Sequence, residues 1–181
     1  GHSGFRHFFV GSVTEKIVRF APCPVMTIRK EQDSFRDTAK YHRILFPVDF
    51  SEYSRHALKY SFSLAKEHDA KVDIIHIVEQ TIHPAFYTSG KISVFDIVPD
   101  LTERSTKALQ DFIAQNAKYM VDAEYHVLEG SPHDEIIKFA EKHNNDLIVM
   151  GTRGLSGFEH FLLGSTTEKV FRKVHCPVLT I

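Results

Sequence analysis

Gly151, Gly154, Gly164 and Ser165 stand at Gly-x2-Gly-x9-Gly-Ser spacing near the end of a 181-residue chain. Glycine lets backbone N–H groups turn outward and approach an anion with no Cβ in the way. Ser165 opens a predicted helix, whose first N–H groups lack intrahelical partners and carry the positive end of its dipole. Together these residues form a candidate phosphate cradle. A second role fits them equally: Ser165-x-x-Glu168 is a capping box, which stabilises a helix start without any ligand. Spacing alone does not separate the two. The other conspicuous group is Asp49, in Pro47-Val48-Asp49-Phe50-Ser51. An Asp leaving a strand either borders a ligand or serves as a helix cap or turn residue, and alone the motif favours the local role.

Other chemistry finds less support. His7 and His160 lie beside the glycine-bearing stretches, but no ligand spacing accompanies them and no metal site is expected. Cys-x-x-Cys is absent, and Cys23 and Cys176 are expected to be buried small hydrophobes. Gly154-Leu155-Ser156-Gly157 falls in a loop rather than at the strand-to-helix turn of a nucleophile elbow. No Lys precedes Ser165, so fast phosphoryl transfer is not expected and no catalytic residue is assigned.

The elements that must position these groups alternate. Arg43–Val48, Val72–Val78, Glu124–Leu128, Leu147–Met150 and Val178–Ile181 read as apolar strands. Between them, Ser51 or Ser54 starts a helix carrying Ala57, Leu58, Leu64 and Ala65, and Leu101 to Ile113 forms a long amphipathic one. Ser131-Pro132 starts a third, with Pro at the first helical position, and residues 165–174 form the last. Glu79 to about Pro99 reads as irregular. The expected fold is α/β, a doubly wound five-stranded parallel sheet with helices on both faces. Ligands in such sheets bind beyond the carboxyl ends of the strands, where Asp49 and the glycine loop fall.

The chain also repeats itself. Residues 1–28 align without a gap on residues 154–181: Gly1 with Gly154, Gly11-Ser12 with Gly164-Ser165, Glu15 with Glu168, Cys23-Pro24-Val25 with Cys176-Pro177-Val178. Residues 1–30 therefore read as the closing helix and strand of a preceding domain, 31–41 as a linker and 42–181 as one complete domain. A net charge of −1 supplies no basic face for nucleic acid. No apolar run is long enough for a membrane span and no signal peptide is visible, so a cytoplasmic location is expected.

The stretches PVDFSEYSRHAL, GSPHDEI, DLIVMGTRG and GSTTEKVFRKVHCPVLTI resemble the universal stress protein family, in its ATP-binding branch. The resemblance covers residues 42–181 and, separately, 1–28. It implies a Rossmann-like fold of the adenine nucleotide alpha hydrolase kind that binds ATP, with Mg2+ accompanying the phosphates. Asp49 and Pro47, with Val48 between them, would border the adenine, and Val78 and Met150 its apolar faces. Gly151 would lie under the ribose. Gly154, Gly164, Ser165 and Thr166 would donate to the phosphates, with Arg153 screening their charge. The implied function is a nucleotide-dependent stress-response or signalling module, the alternatives being a slow ATPase or self-phosphorylating enzyme and a nucleotide-free interaction module. The family also joins domains through their last strands, so Val25–Ile28 is expected to pair antiparallel with Val178–Ile181 of the same or a neighbouring chain. In the opening copy Gly1, Gly11 and Ser12 are retained, but no first strand with its Asp, so residues 1–30 alone do not make a second site.

Overall fold

The computed structural model describes residues 12–28, 40–79, 93–154 and 163–181. After α1 (Ser12–Phe20) and β1 (Val25–Thr27) come β2 (Arg43–Pro47), α2 (Glu52–His68), β3 (Lys71–Val78), α3 (Val94–Ile97) and α4 (Leu101–Asn116). The chain continues through β4 (Ala123–Glu129), α5 (Pro132–His143), β5 (Leu147–Met150), α6 (Ser165–Lys173) and β6 (Val178–Thr180). One sheet holds the strands in the order β1-β6-β5-β2-β3-β4. Neighbours among the last five are parallel, whereas β1 joins β6 antiparallel. The sheet thus has six strands rather than the expected five, because the opening copy of the last strand adds itself at the edge.

Alternation along β2 divides the core. Ile44 and Phe46 face α2 and α4, packing with Leu58, Phe62 and Leu109, while Leu45 faces Ile136 of α5 and Val170 of α6. Ser51 caps α2, its hydroxyl accepting from Ser54 N at 3.1 Å. Asp69 and Asn144, at φ 52° and 54°, end α2 and α5 in the left-handed region, where short polar side chains are tolerated. The short α3 lies within the stretch read as irregular. Its Val94 N–H donates to Glu129 at the end of β4, a contact from distant sequence.

The pairing of β1 with β6 follows the repeat. Val25 faces Thr180, Met26 faces Leu179 and Thr27 faces Val178. Shifted by 153 residues this register maps onto itself, with a local two-fold axis between Met26 and Leu179. Side chains obey the same symmetry: Thr27 Oγ1 donates to Val178 O (3.2 Å) and Thr180 Oγ1 to Val25 O (3.1 Å).

At the amino ends of the parallel strands lies an ionic network. Asp73 is fully buried and accepts from Arg43 Nη2 at 2.9 Å, Arg43 Nε at 2.5 Å and Asn145 Nδ2 at 2.7 Å. Asp73, Glu124 and His126 lie close enough to hold a cation, but Arg43 already sits against both carboxylates, 2.9 Å from Asp73 and 3.6 Å from Glu124. Burial alone would raise the Asp73 pKa; the bonds from Arg43 and Asn145 outweigh it and hold the carboxyl below its ordinary value. His143 accepts from Arg43 through Nδ1 at 3.3 Å, which requires that nitrogen unprotonated. Desolvation first, and Arg43 second, lower its pKa.

Both groups bind protons more weakly folded than unfolded. Their stabilisation is present above the unfolded values, about 6.5 for His and 3.9 for Asp, and is lost as pH falls through the folded ones. The urea midpoint is therefore expected to fall in two stages, below about pH 6.5 and again below about pH 4. His143→Gln, which keeps an acceptor but does not titrate, removes the first stage. A midpoint unchanged from pH 7.5 to 5.5 in the unsubstituted chain would contradict this account.

Candidate functional site

The carboxyl ends of β2, β3 and β5 open, with the start of α6, onto a cavity of about 340 Å3. Pro47, Val48 and Asp49 line it from the turn after β2; Met150, Gly151, Arg153 and Gly154 from β5 and its loop; Gly164, Ser165 and Thr166 from the start of α6. Every proposed site residue except Val78 lines this cavity. Ile77 and Glu79 line it from the end of β3, and the Val78 carbonyl accepts from Gly130 N at 3.1 Å. His76, Ser54, Pro132, Ile136 and Thr167 also line the cavity without a motif to announce them.

Asp49 is placed by its neighbours. Its Oδ1 accepts from Ser51 N (3.0 Å) and Ser54 Oγ (2.5 Å), an Asx-type turn, while Ser51 rather than Asp49 caps α2. Oδ2 faces the glycine loop: a Cβ on Gly154 would lie 2.6 Å from it. The turn thus uses one oxygen of the carboxylate and leaves the other facing the cavity wall. Phe50, next along, has φ 65°, a costly conformation for a bulky residue, on the order of 1–3 kcal/mol. Its ring packs on His76 (4.6 Å) and Phe112 (5.7 Å), and His76 Nδ1 donates to Val48 O at 2.9 Å. These contacts hold the turn that presents Asp49.

Opposite, hydrogen bonds from distant sequence shape the glycine loop. Thr167 Oγ1 donates to Gly151 O (2.9 Å), Gly164 N to Thr152 O (2.8 Å), and Thr152 N to Ile181 O (2.9 Å). A Cβ on Gly151 would meet the Tyr53 Cβ at 2.7 Å, so only glycine fits where α2 crosses the loop. Arg153 Nη1 donates to the Tyr53 hydroxyl at 3.0 Å, which holds the guanidinium at the cavity wall.

The capping box does not form. Gly164 occupies the N-cap of α6 with no side-chain cap bond, and Glu168 pairs with Arg172 at 2.6 Å, one turn on. The first N–H groups of α6 therefore meet the cavity uncapped by any side chain, and Ser165 is exposed there. Cys23 is exposed, contrary to expectation, because β1 lies at the sheet edge. Cys176 is buried, which pushes its thiol up to about 12. Gly1, His7, Gly11, Leu155 to Gly157 and His160 lie outside the described residues.

Fold and site together define a doubly wound α/β protein with a cavity between a glycine-bearing loop and the strands' carboxyl ends. The profile of the Universal stress protein family matches residues 1–29 and 40–181. The chain belongs to that family. It is 37% identical over 142 residues to Universal stress protein MJ0531 of Methanocaldococcus jannaschii, covering 78% of this chain and 82% of that protein. Among solved structures, protein MJ0577 of the same organism superposes with a TM-score of 0.66 at 28% identity, over 79% of this chain and 96% of that one. A universal stress protein solved in complex with cAMP has a TM-score of 0.56 at 22% identity, over 79% and 98% of the two chains, a likeness of fold. No helix among the described residues is long and apolar enough to cross a membrane.

Proposed function

We propose that the chain binds an adenine nucleotide, ATP with Mg2+ accompanying its phosphates, and acts as a nucleotide-dependent stress-response module in the cytoplasm. The observation that carries this reading is the uncapped start of α6 facing the cavity beside Gly154 and Asp49. Gly154, Gly164, Ser165 and Thr166 would hold the phosphates, with Arg153 released from Tyr53 to screen them. Gly151 would lie under the ribose. Met150 and Ile77 would flank the base, with Pro47, Val48 and Asp49 along its edge. The cAMP held by one family member is a precedent for an adenine nucleotide on this fold. We further propose that the self-equivalent pairing of β1 with β6 is the means by which two domains of this kind join, within a chain or between copies.

Mass spectrometry of heat-released small molecules, with calorimetric titration of ATP, tests the nucleotide. Absence of nucleotide in the first and of heat in the second, up to millimolar ATP, would overturn it. Arg153 is the cation among the described lining residues, and no Lys stands with it. Turnover is therefore expected far below the roughly 1–10³ s⁻¹ of ordinary enzymes. Steady-state phosphate release within that range, lost in Asp49→Ala, would make the protein an ATPase instead.

A further inference from the structure

Arg153 brings a full positive charge to the cavity wall, yet its partner is uncharged. Nη1 donates to the Tyr53 hydroxyl at 3.0 Å, and the guanidinium carbon lies 5.6 Å from the centre of the Tyr53 ring. Arg43, Arg55 and Arg172 each meet a carboxylate. Arg153 pairs with none among the described residues, although Asp49 lines the same cavity. A bond to an ionised acceptor is roughly twice as strong as one to a neutral acceptor, so a phenol holds a guanidinium less firmly than a phosphate does. The contact with Tyr53 therefore keeps Arg153 in place without committing it.

Tyr53 stands in the first turn of α2, between exposed Glu52 and buried Ser54, whose hydroxyl donates to Asp49 Oδ1 at 2.5 Å. The near end of the Tyr53 side chain is fixed. Its Cβ is the atom that a Cβ on Gly151 would meet at 2.7 Å, so it packs directly on the glycine loop. The far end is half-buried, and its hydroxyl is where Arg153 binds. One turn of helix thus touches both charged walls of the cavity, Asp49 through Ser54 and Arg153 through Tyr53. It also reaches solvent at Glu52. The Tyr53 ring and hydroxyl are the part of this turn free to respond when Arg153 moves.

We propose that Arg153 and Tyr53 form a two-position switch, which reports phosphate in the cavity to the first turn of α2. With no nucleotide bound the guanidinium rests on Tyr53. With one bound it moves to the phosphates, and the Tyr53 hydroxyl loses its donor. A ligand shifts such an equilibrium only through its different affinity for the two positions, and the charge on phosphate supplies that difference. Tyr53 is a positioning residue: it touches no ligand and acts through Arg153. It weakens phosphate binding by the bond that must be given up, and in return the departure of Arg153 is felt at the surface of α2. The inference rests on the nucleotide reading and assigns that site a means of signalling its occupancy.

The test uses the full chain labelled with 13C at tyrosine Cζ, whose NMR shift responds to hydrogen bonding at the hydroxyl. The chain has six tyrosines, and the resonance of Tyr53 is assigned by its loss in Tyr53→Phe. ATP is expected to shift that resonance, saturating along the same curve as the calorimetric heat. In Arg153→Ala the resonance should start near the ATP-bound position and hardly move when ATP is added. Tyr53→Phe keeps the ring and its packing on Gly151, and losing one neutral acceptor for Arg153 should tighten ATP binding about threefold. Arg153→Ala should weaken binding about tenfold, and adding Tyr53→Phe to it should change nothing more. Absence of ATP heat in the unsubstituted chain removes the nucleotide reading and the switch with it. Heat without a Tyr53 shift overturns the switch alone. An equal shift in Arg153→Ala also overturns it, since the change then reaches Tyr53 by another route. So does unchanged or weaker ATP binding in Tyr53→Phe, because the phenol then does not compete with phosphate for Arg153.

Discussion

Gly154→Val is expected to weaken ATP binding by on the order of 100-fold or more while leaving most of the fold in place, the loss corresponding to charge-assisted bonds to phosphate of about 1.5–3 kcal/mol. The Cβ of any larger residue at 154 would lie 2.6 Å from Asp49 Oδ2. That carboxylate is not free to retreat, since Ser51 N and Ser54 Oγ hold its other oxygen at 3.0 and 2.5 Å. Either the loop lifts and the cradle opens, or Asp49 turns away and its own contacts break. Both outcomes remove the site. Ser165→Ala is the companion. Ser165 is exposed and α6 carries no side-chain cap, so stability should stay within about 0.5 kcal/mol. Affinity for ATP should nevertheless fall roughly tenfold, the effect of one hydroxyl bond to a charged phosphate. Calorimetric titration of both variants, beside urea unfolding, separates a ligand cradle from a loop that only builds the fold. Unchanged affinity in both would leave the loop a structural role alone.

Deleting residues 1–30 is expected to turn the remaining domain into a dimer. The deletion bares the edge of β6 and uncovers the side of the core where Val18 and Val25 now pack beside Phe171 and Val178. An apolar edge strand is a template for pairing, and here the template is self-complementary. Because Val25, Met26 and Thr27 correspond by the repeat to Val178, Leu179 and Thr180, the register of β1 on β6 is one that β6 can form with a second copy of itself. Leu179 would face Leu179, and each Thr180 would donate to the other chain's Val178 carbonyl, reproducing both threonine bonds now present. The contact between Glu15 and Arg172, 3.8 Å, would be replaced by one from Glu168. Sedimentation equilibrium over a wide concentration range reads the outcome. A deleted protein that stays monomeric at high concentration with an unchanged urea midpoint would show that the opening segment covers nothing the domain needs covered.

Patterns set by neighbouring residues were legible in the sequence itself. The apolar run Leu147–Met150 is β5 to the residue, and Ser131-Pro132 does start α5. Five parallel strands and the glycine spacing at their carboxyl ends also follow from local periodicity and from the conformations glycine alone allows. The repeat was visible as well, since it is a property of the string. Tertiary structure decided the questions in which a residue chooses between partners. Ser165 and Glu168 satisfy a capping box on paper, yet Glu168 takes Arg172 and the start of α6 is left to the cavity. Asp49 uses one oxygen for its own turn, while the other stands close against the loop at Gly154, 105 residues away in sequence. Ile77, with His76 and Glu79, meets the cavity where Val78 does not, a placement at the end of β3 that the residue types alone do not reveal. Cys23 is exposed and a sixth strand exists because β1 joined the edge at β6, a pairing across about 150 residues. Propensity and periodicity act over a few residues, whereas hydrogen-bond partners and sheet edges depend on which distant groups the fold brings within about 3 Å.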